Sequence, residues 1–138
     1  MILLDTNVIS ELMKAEPNAS VMNWVDSQVE TDLYICAITK AEIEWGVAVL
    51  DNGKRKQKLH QAATSILDLF KGRCLDYSCK ATSHYIDIGL SAKRLGSPMS
   101  IEDMMIAAIA QAHKGLLVTR NIKDFDFLPD TRLYNPWS

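Results

Sequence analysis

The first hydrophobic run of the chain is short: Ile2-Leu3-Leu4, closed at once by the charged Asp5. An apolar run of that length ending in a carboxylate reads as a buried strand. Similar runs return at Leu33 to Ala37, at Arg73-Cys74-Leu75 and at Leu116-Leu117-Val118, with Leu133-Tyr134 as a last short candidate. Between them the period changes. Leu59, Ala62, Ala63, Ile66, Leu69 and Phe70 recur at steps of three and four and predict a helix over 54–70. Further helices are predicted over 7–14, from a Ser20 cap to about 28, from a Thr39 cap to about 50, over 78–95 and over 100–114. Pro17, Asn52-Gly53, Gly96 with Pro98, and Gly115 supply the stops. Buried strands separated by helices predict an α/β protein, a parallel sheet with helices on both faces. Ligands of such sheets bind beyond the carboxyl ends of the strands, near the topological switch point, so the residues just after each strand are the ones to inspect.

Composition adds limits. The 138 residues suit a single domain over 1–138, since one core usually occupies ~100–200 residues. Hydrophobic residues at 48% and charged residues at 23% exclude a disordered chain. Cys36, Cys74 and Cys79 have neither metal-ligand spacing nor an even count, which suits small buried side chains in a reducing compartment. No basic stretch precedes the first apolar run, and the longest apolar run, Met104 to Ala110, falls far short of the ~20 residues of a membrane span. A cytoplasmic protein with no membrane partner is expected. The net charge of −2 argues against gripping nucleic acid by bulk positive charge. The distribution is uneven, however: residues 53–96 hold nine basic and three acidic groups, and the remainder holds six basic and fourteen acidic. That asymmetry points to an anionic partner.

Several carboxylates then need explaining. Asp5 follows a buried strand, where a carboxylate costs several kcal/mol unless it is hydrogen-bonded or holds a metal. It suits an N-cap and a metal ligand equally, with Thr6 and Asn7 placed to orient it. Glu42 falls in a stripe with Ile38, Trp45, Gly46 and Val49, an unusual setting for a residue rarely buried unpaired. Asp103 stands in Ser100-Ile101-Glu102-Asp103, a capping-box pattern, at the head of a nearly all-apolar helix. Asn121 and Asp124 follow the strand at 116–118, where a lone Asp is more often a turn residue. Three carboxylates at separate strand–helix junctions predict a cluster for one or two hard cations such as Mg²⁺ or Mn²⁺.

The segments MILLDTNVISEL (1–12), ITKAEIEWGV (38–47), PMSIEDMMIAAIAQAHKGLLVTRNIKDF (98–125) and LYNPW (133–137), in this order and spacing, resemble the PIN-domain ribonucleases, and among them the VapC-type toxins of toxin–antitoxin pairs. The resemblance runs over essentially the whole chain. It implies a three-layer α/β/α sandwich around a central, mostly parallel sheet, and Mg²⁺- or Mn²⁺-dependent hydrolysis of RNA by a metal-activated water. Asp5, Glu42 and Asp103 match the family's acidic metal site. Many relatives carry a fourth acid directly after the fourth strand, where this chain has Asn121, with Asp124 close by. An antitoxin partner and a homodimer are also implied. Trp24, Tyr34 and Trp45 are candidates for such contacts, alongside core packing, and His60, His84 and His113 are expected on helices away from the site.

Two rivals stand beside this reading. An aspartyl-nucleophile phosphatase also opens with a strand ending in Asp, but it needs a second Asp two residues on, and Asn7 stands there. A PIN module that only binds RNA or a protein partner is kept open by Asn121.

Overall fold

The structure is a computed structural model and describes residues 1–138. Its strands are β1 (Ile2–Leu4), β2 (Leu33–Cys36), β3 (Cys74–Leu75), β4 (Leu116–Val118) and β5 (Arg132–Tyr134). Its helices are α1 (Thr6–Leu12), α2 (Ala19–Asp26), α3 (Ala37–Ala48), α4 (Lys54–Leu69), α5 (Cys79–Arg94) and α6 (Ile101–Ala112), with short 3₁₀ turns at Glu30–Asp32 and Ile122–Asp124. The sheet order is β3-β2-β1-β4-β5, and every pairing is parallel. The expected mostly parallel sheet is therefore wholly so.

Alternation along these very short strands builds the layers. Leu3, Cys36 and Leu117 point to one face and pack with Ala81 and Ile88 of α5 and Ile106 to Ala110 of α6. Their neighbours Leu4, Ile35 and Val118 point to the other face, against Val8, Ile9, Val21, Ile43, Val47 and Ala63 of α1 to α4. Successive strand residues face opposite sides, so three residues suffice to serve two cores. Each fully buried Leu or Val contributes roughly 1.5–3 kcal/mol.

Local chemistry explains where the helix ends depart from expectation. The cap of α2 is Asn18, whose side chain accepts from the Val21 N–H at 3.2 Å. Ser20 lies inside the helix, and its hydroxyl donates to the Pro136 carbonyl. α3 begins at Ala37, two residues before Thr39, which is fully buried in the first turn. At the end of α6 the left-handed position is taken by Lys114 (φ 53°), not by Gly115. Gly115 closes the turn, its N–H donating to the Ala110 carbonyl at 2.9 Å. A Cβ there would meet the Met1 sulfur at 3.0 Å, so close approach rather than φ favours the glycine. Gly96 (φ 63°) ends α5 as expected.

The two halves of the sheet diverge at β1. The chain moves outward from β1 to β2 to β3, then returns so that β4 lies on the other side of β1. The register pairs Leu4 with Val118, so Asp5 and Thr119, the next residue of each strand, leave the sheet side by side. This is the topological switch point.

Candidate active site

Asp5 takes the cap reading, with both carboxylate oxygens engaged. It is the N-cap of α1, accepting from the Thr6 N–H at 2.7 Å through one carboxylate oxygen, and it accepts from the Thr119 hydroxyl at 2.8 Å through the other. Its backbone N–H donates to the Val118 carbonyl, which holds it in the extension of the sheet. The side chain is buried, and that burial pushes its pKa above the usual carboxylate range against the two hydrogen bonds; the charge of Asp124 adds to the rise.

Glu42 reaches the same cleft from α3. The Thr6 hydroxyl donates to its Oε1 at 2.7 Å, and Thr6 Oγ1 lies 3.1 Å from Thr39 Oγ1, one turn earlier on α3. The expected apolar stripe around Glu42 is not the buried face. Thr39, Ile43 and Val47 face the core, whereas Trp45 (69% exposed) and Val49 face outward. Glu42 thus sits on the open side of the helix, aimed into the cleft by Thr6.

Asp103 comes from the first turn of α6. Ser100 caps that helix by accepting from the Asp103 N–H at 3.0 Å. The Asp103 carboxyl is half-buried and its pKa is pushed up to about 6, first by desolvation, then by the negative charges of Asp5, Asp124 and Glu42, against a hydrogen bond from Ser100. No basic side chain is paired with Asp103. By contrast Glu11, a buried acid of the same cleft, accepts from the Asn18 N–H at 3.0 Å and from Lys14 Nζ at 3.0 Å, which hold its pKa below the usual range. Glu11 is neutralised in place, and the other three are not.

The cleft encloses about 420 Å³ and is lined by Asp5, Thr6, Asn7, Glu42, Asp103 and Asn121, together with Ser10, Glu11, Lys14, Arg120 and Trp137. Of the two candidates for a fourth position, Asn121 lines it and Asp124 does not, although the charge of Asp124 is felt by both Asp5 and Asp103. The Asn121 backbone N–H donates to Thr119 Oγ1 at 3.1 Å. No three His, Cys, Asp or Glu side chains stand as a closed ligand set. The donors are nevertheless all hard oxygens whose mutual repulsion a divalent cation would relieve, and Mg²⁺ is commonly held by one or two carboxylates with waters completing its shell. The residues fit such an ion.

Sequence reasoning missed Thr119, Arg120 and Trp137. A polar residue directly after an apolar strand was the available signal for Thr119. Its importance depends on β4 lying beside β1, which local pattern does not reveal. His60, His84 and His113 do not line the cleft. Tyr34 packs on the α5–α6 core, and Trp24 is half-buried and stacked on Tyr134 at 5.1 Å; only Trp45 of the three aromatics is fully outward. Arg73, part of the basic segment, is structural: its guanidinium donates to the carbonyls of Glu30, Leu33 and Leu69.

A larger depression of about 860 Å³ lies at the amino ends of β4 and β5, between α5, the end of α6 and residues 128–132. Three of its polar side chains serve the fold. Arg132 donates to the Lys114 carbonyl, and Gln111 to Thr131 and the Pro129 carbonyl.

The PIN domain family model matches residues 2–128, and the chain belongs to the PIN domain family. The toxin FitB of Neisseria gonorrhoeae is 44% identical over 138 residues, covering 99% of each chain. The VapC ribonuclease Y4jK of Sinorhizobium fredii is 39% identical, covering 99% of this chain and 98% of its own. Among solved structures, FitAB bound to the IR36 DNA fragment superposes with a TM-score of 0.91 at 43% identity, over 100% of this chain and 96% of the other. No helix is long and apolar enough to cross a membrane.

Proposed function

We propose that this chain is the toxin of a toxin–antitoxin pair and acts as an endoribonuclease dependent on Mg²⁺ or Mn²⁺. The observation that carries the reading is the trio Asp5, Glu42 and Asp103, delivered by three separate elements to one cleft and left without a cationic partner. Asp5 and Asp103 would hold the ion, with Glu42 completing the shell directly or through water and Asn121 offering a neutral oxygen at the fourth position. Held there, such an ion would supply the acidification of a water and the offset of charge developing on the phosphodiester.

The chain's own residues supply orientation. Thr119 and the Thr6 N–H fix both oxygens of Asp5, and Thr6 Oγ1 fixes Glu42, so Thr6 couples α1 to α3 across the cleft. No serine, cysteine or histidine is needed as nucleophile or base. A cognate antitoxin is the protein partner, by likeness to FitB and its FitAB assembly, and a homodimer is the assembly.

Incubation of the purified chain with tRNA, rRNA and mRNA in Mg²⁺, Mn²⁺ or EDTA tests the reading. Internal cleavage is expected with either metal and none with EDTA. Cleavage that persists in EDTA would sink the mechanism, and RNA binding without cleavage in either metal would mark an inactive PIN module instead.

A further inference from the structure

Two cations line the acidic cleft, Lys14 and Arg120. Lys14 is paired with Glu11 at 3.0 Å. Arg120 has no ion pair and no side-chain hydrogen bond: its charge contributes to the field at Glu11, but that carboxylate is held by Lys14 and the Asn18 N–H. Its position is nonetheless fixed. The Arg120 N–H donates to Asn7 Oδ1 at 3.3 Å, and its carbonyl accepts from Asn135 Nδ2 at 3.4 Å. The guanidinium lies 5.2 Å from the centre of the Trp137 ring. That ring is anchored in turn, since the Trp137 N–H donates to Asn135 Oδ1 at 2.9 Å and the adjoining Pro136 carbonyl accepts from Ser20 Oγ at 2.8 Å.

A cation–π contact engages the flat face of a guanidinium and leaves its edge N–H groups free. Those donors form a fork that matches two oxygens of a phosphate. A polynucleotide crossing this cleft brings one negative charge per nucleotide toward a cluster of acids. A bound ion would offset charge at the reacting phosphodiester, but its neighbours need a separate cation. The basic groups of residues 53–96 do not line the cleft, and Arg120 does.

We propose that Arg120, shelved on Trp137, is a substrate-binding residue that grips a backbone phosphate of the RNA next to the one being cut. The proposal rests on the ribonuclease reading above. Because one phosphate contact is one released counterion, it sets a salt dependence that a residue serving only the fold would not.

The test is steady-state cleavage of a short single-stranded RNA in Mg²⁺ at several salt concentrations, by the full chain and three variants. In Arg120→Ala, KM should rise about tenfold, as expected for a charged hydrogen bond, with kcat within about threefold. The slope of log KM against log salt should fall by about 0.7. Arg120→Lys should restore the slope and only part of the KM, because a point charge lacks the fork. Trp137→Leu should keep the slope while KM rises about threefold, the scale of an exposed cation–π contact. Thermal unfolding of each variant separates these effects from loss of fold. If the parent cuts RNA while Arg120→Ala leaves both KM and slope unchanged, the proposal is overturned and the ribonuclease reading stands. If Arg120→Ala weakens only the complex with the antitoxin, the residue serves that partner and not RNA. A parent that cuts no RNA overturns both readings together.

Discussion

The two ends of the sheet differ in a way that cavity size does not capture. The amino ends of β4 and β5 border the larger depression, about 860 Å³, where Arg132, Gln111 and Thr131 bond to the fold and where the acids Asp87 and Asp130 stand among Arg94, Lys114 and Arg132 rather than among other acids. The carboxyl ends of β1 and β4 border about 420 Å³, and there three carboxylates face one another, none of them ion-paired with a basic side chain. Chemistry resides where polar capacity is left over. A satisfied hydrogen-bond network is a joint; an unsatisfied cluster of like charges is a demand for a ligand.

The sharpest way to break this contrast is Asp5→Asn. Asparagine caps helices about as well as aspartate, so the fold should persist by circular dichroism while RNA cleavage falls by about a thousandfold or more, the scale of losing central electrostatic stabilisation. Retention of parental cleavage would remove Asp5 from the site. Next in size is Thr119→Val. It deprives Asp5 of a 2.8 Å donor and the Asn121 N–H of its acceptor. Denaturant melts should show a loss of about 2 kcal/mol, as for hydrogen bonds to charged groups, with cleavage down about tenfold.

Asp103 sharpens the contrast through pH. Its pKa is 3.8 ordinarily and about 6 in the folded chain. The folded state therefore holds this proton more tightly, and the associated stability is present below 3.8 and lost as pH climbs through about 6. Asp103→Asn removes that loss. In EDTA at about pH 8 the variant should be the more stable by about 1 kcal/mol, discounted because the group is half-exposed, or about 3 °C in Tm. Near pH 3.5 the difference should vanish. Added Mg²⁺ should raise the Tm of the parent and not of the variant. The smallest effect belongs to the other end of the sheet: Arg132→Ala should cost about 1 kcal/mol through its lost bond to the Lys114 carbonyl, with kcat/KM within about twofold. A large fall in activity there would erase the distinction between the two ends.

How much of this was legible beforehand follows from the range of each interaction. Strand and helix periods are local, so every strand and α-helix was recoverable to within a few residues, whereas the 3₁₀ turns at Glu30–Asp32 and Ile122–Asp124 were not. Asp5 and Asp103 announced themselves because a charge beside a buried run is locally anomalous. Glu42 was singled out for a stripe that turned out to face outward; what places it in the cleft is Thr6, 36 residues away. Arg120 and Trp137 left no local anomaly, and Thr119 only the weak one of a polar residue after an apolar strand. Their roles arise from β4 pairing beside β1 and from the return of residues 135–137 to Ser20 and Arg120, contacts that no periodicity records.

The Asp5–Thr119 contact joins residues 114 apart in the chain. Closing a loop of that length carries an entropic cost that grows as ~(3/2)RT ln n, and contacts so distant form late. The helices and the β1–β2 pair can assemble without it. The cleft cannot, because one wall of it is the Arg120–Asn121 segment that follows β4. Before the β1–β4 seam closes, Asp5 and Glu42 can already meet through Thr6, but Asp5 lacks its Thr119 donor and the cleft lacks the Arg120–Asn121 wall. That seam is therefore the joint that completes the cleft, and of the sheet's pairings it is the one that spans the greatest length of chain.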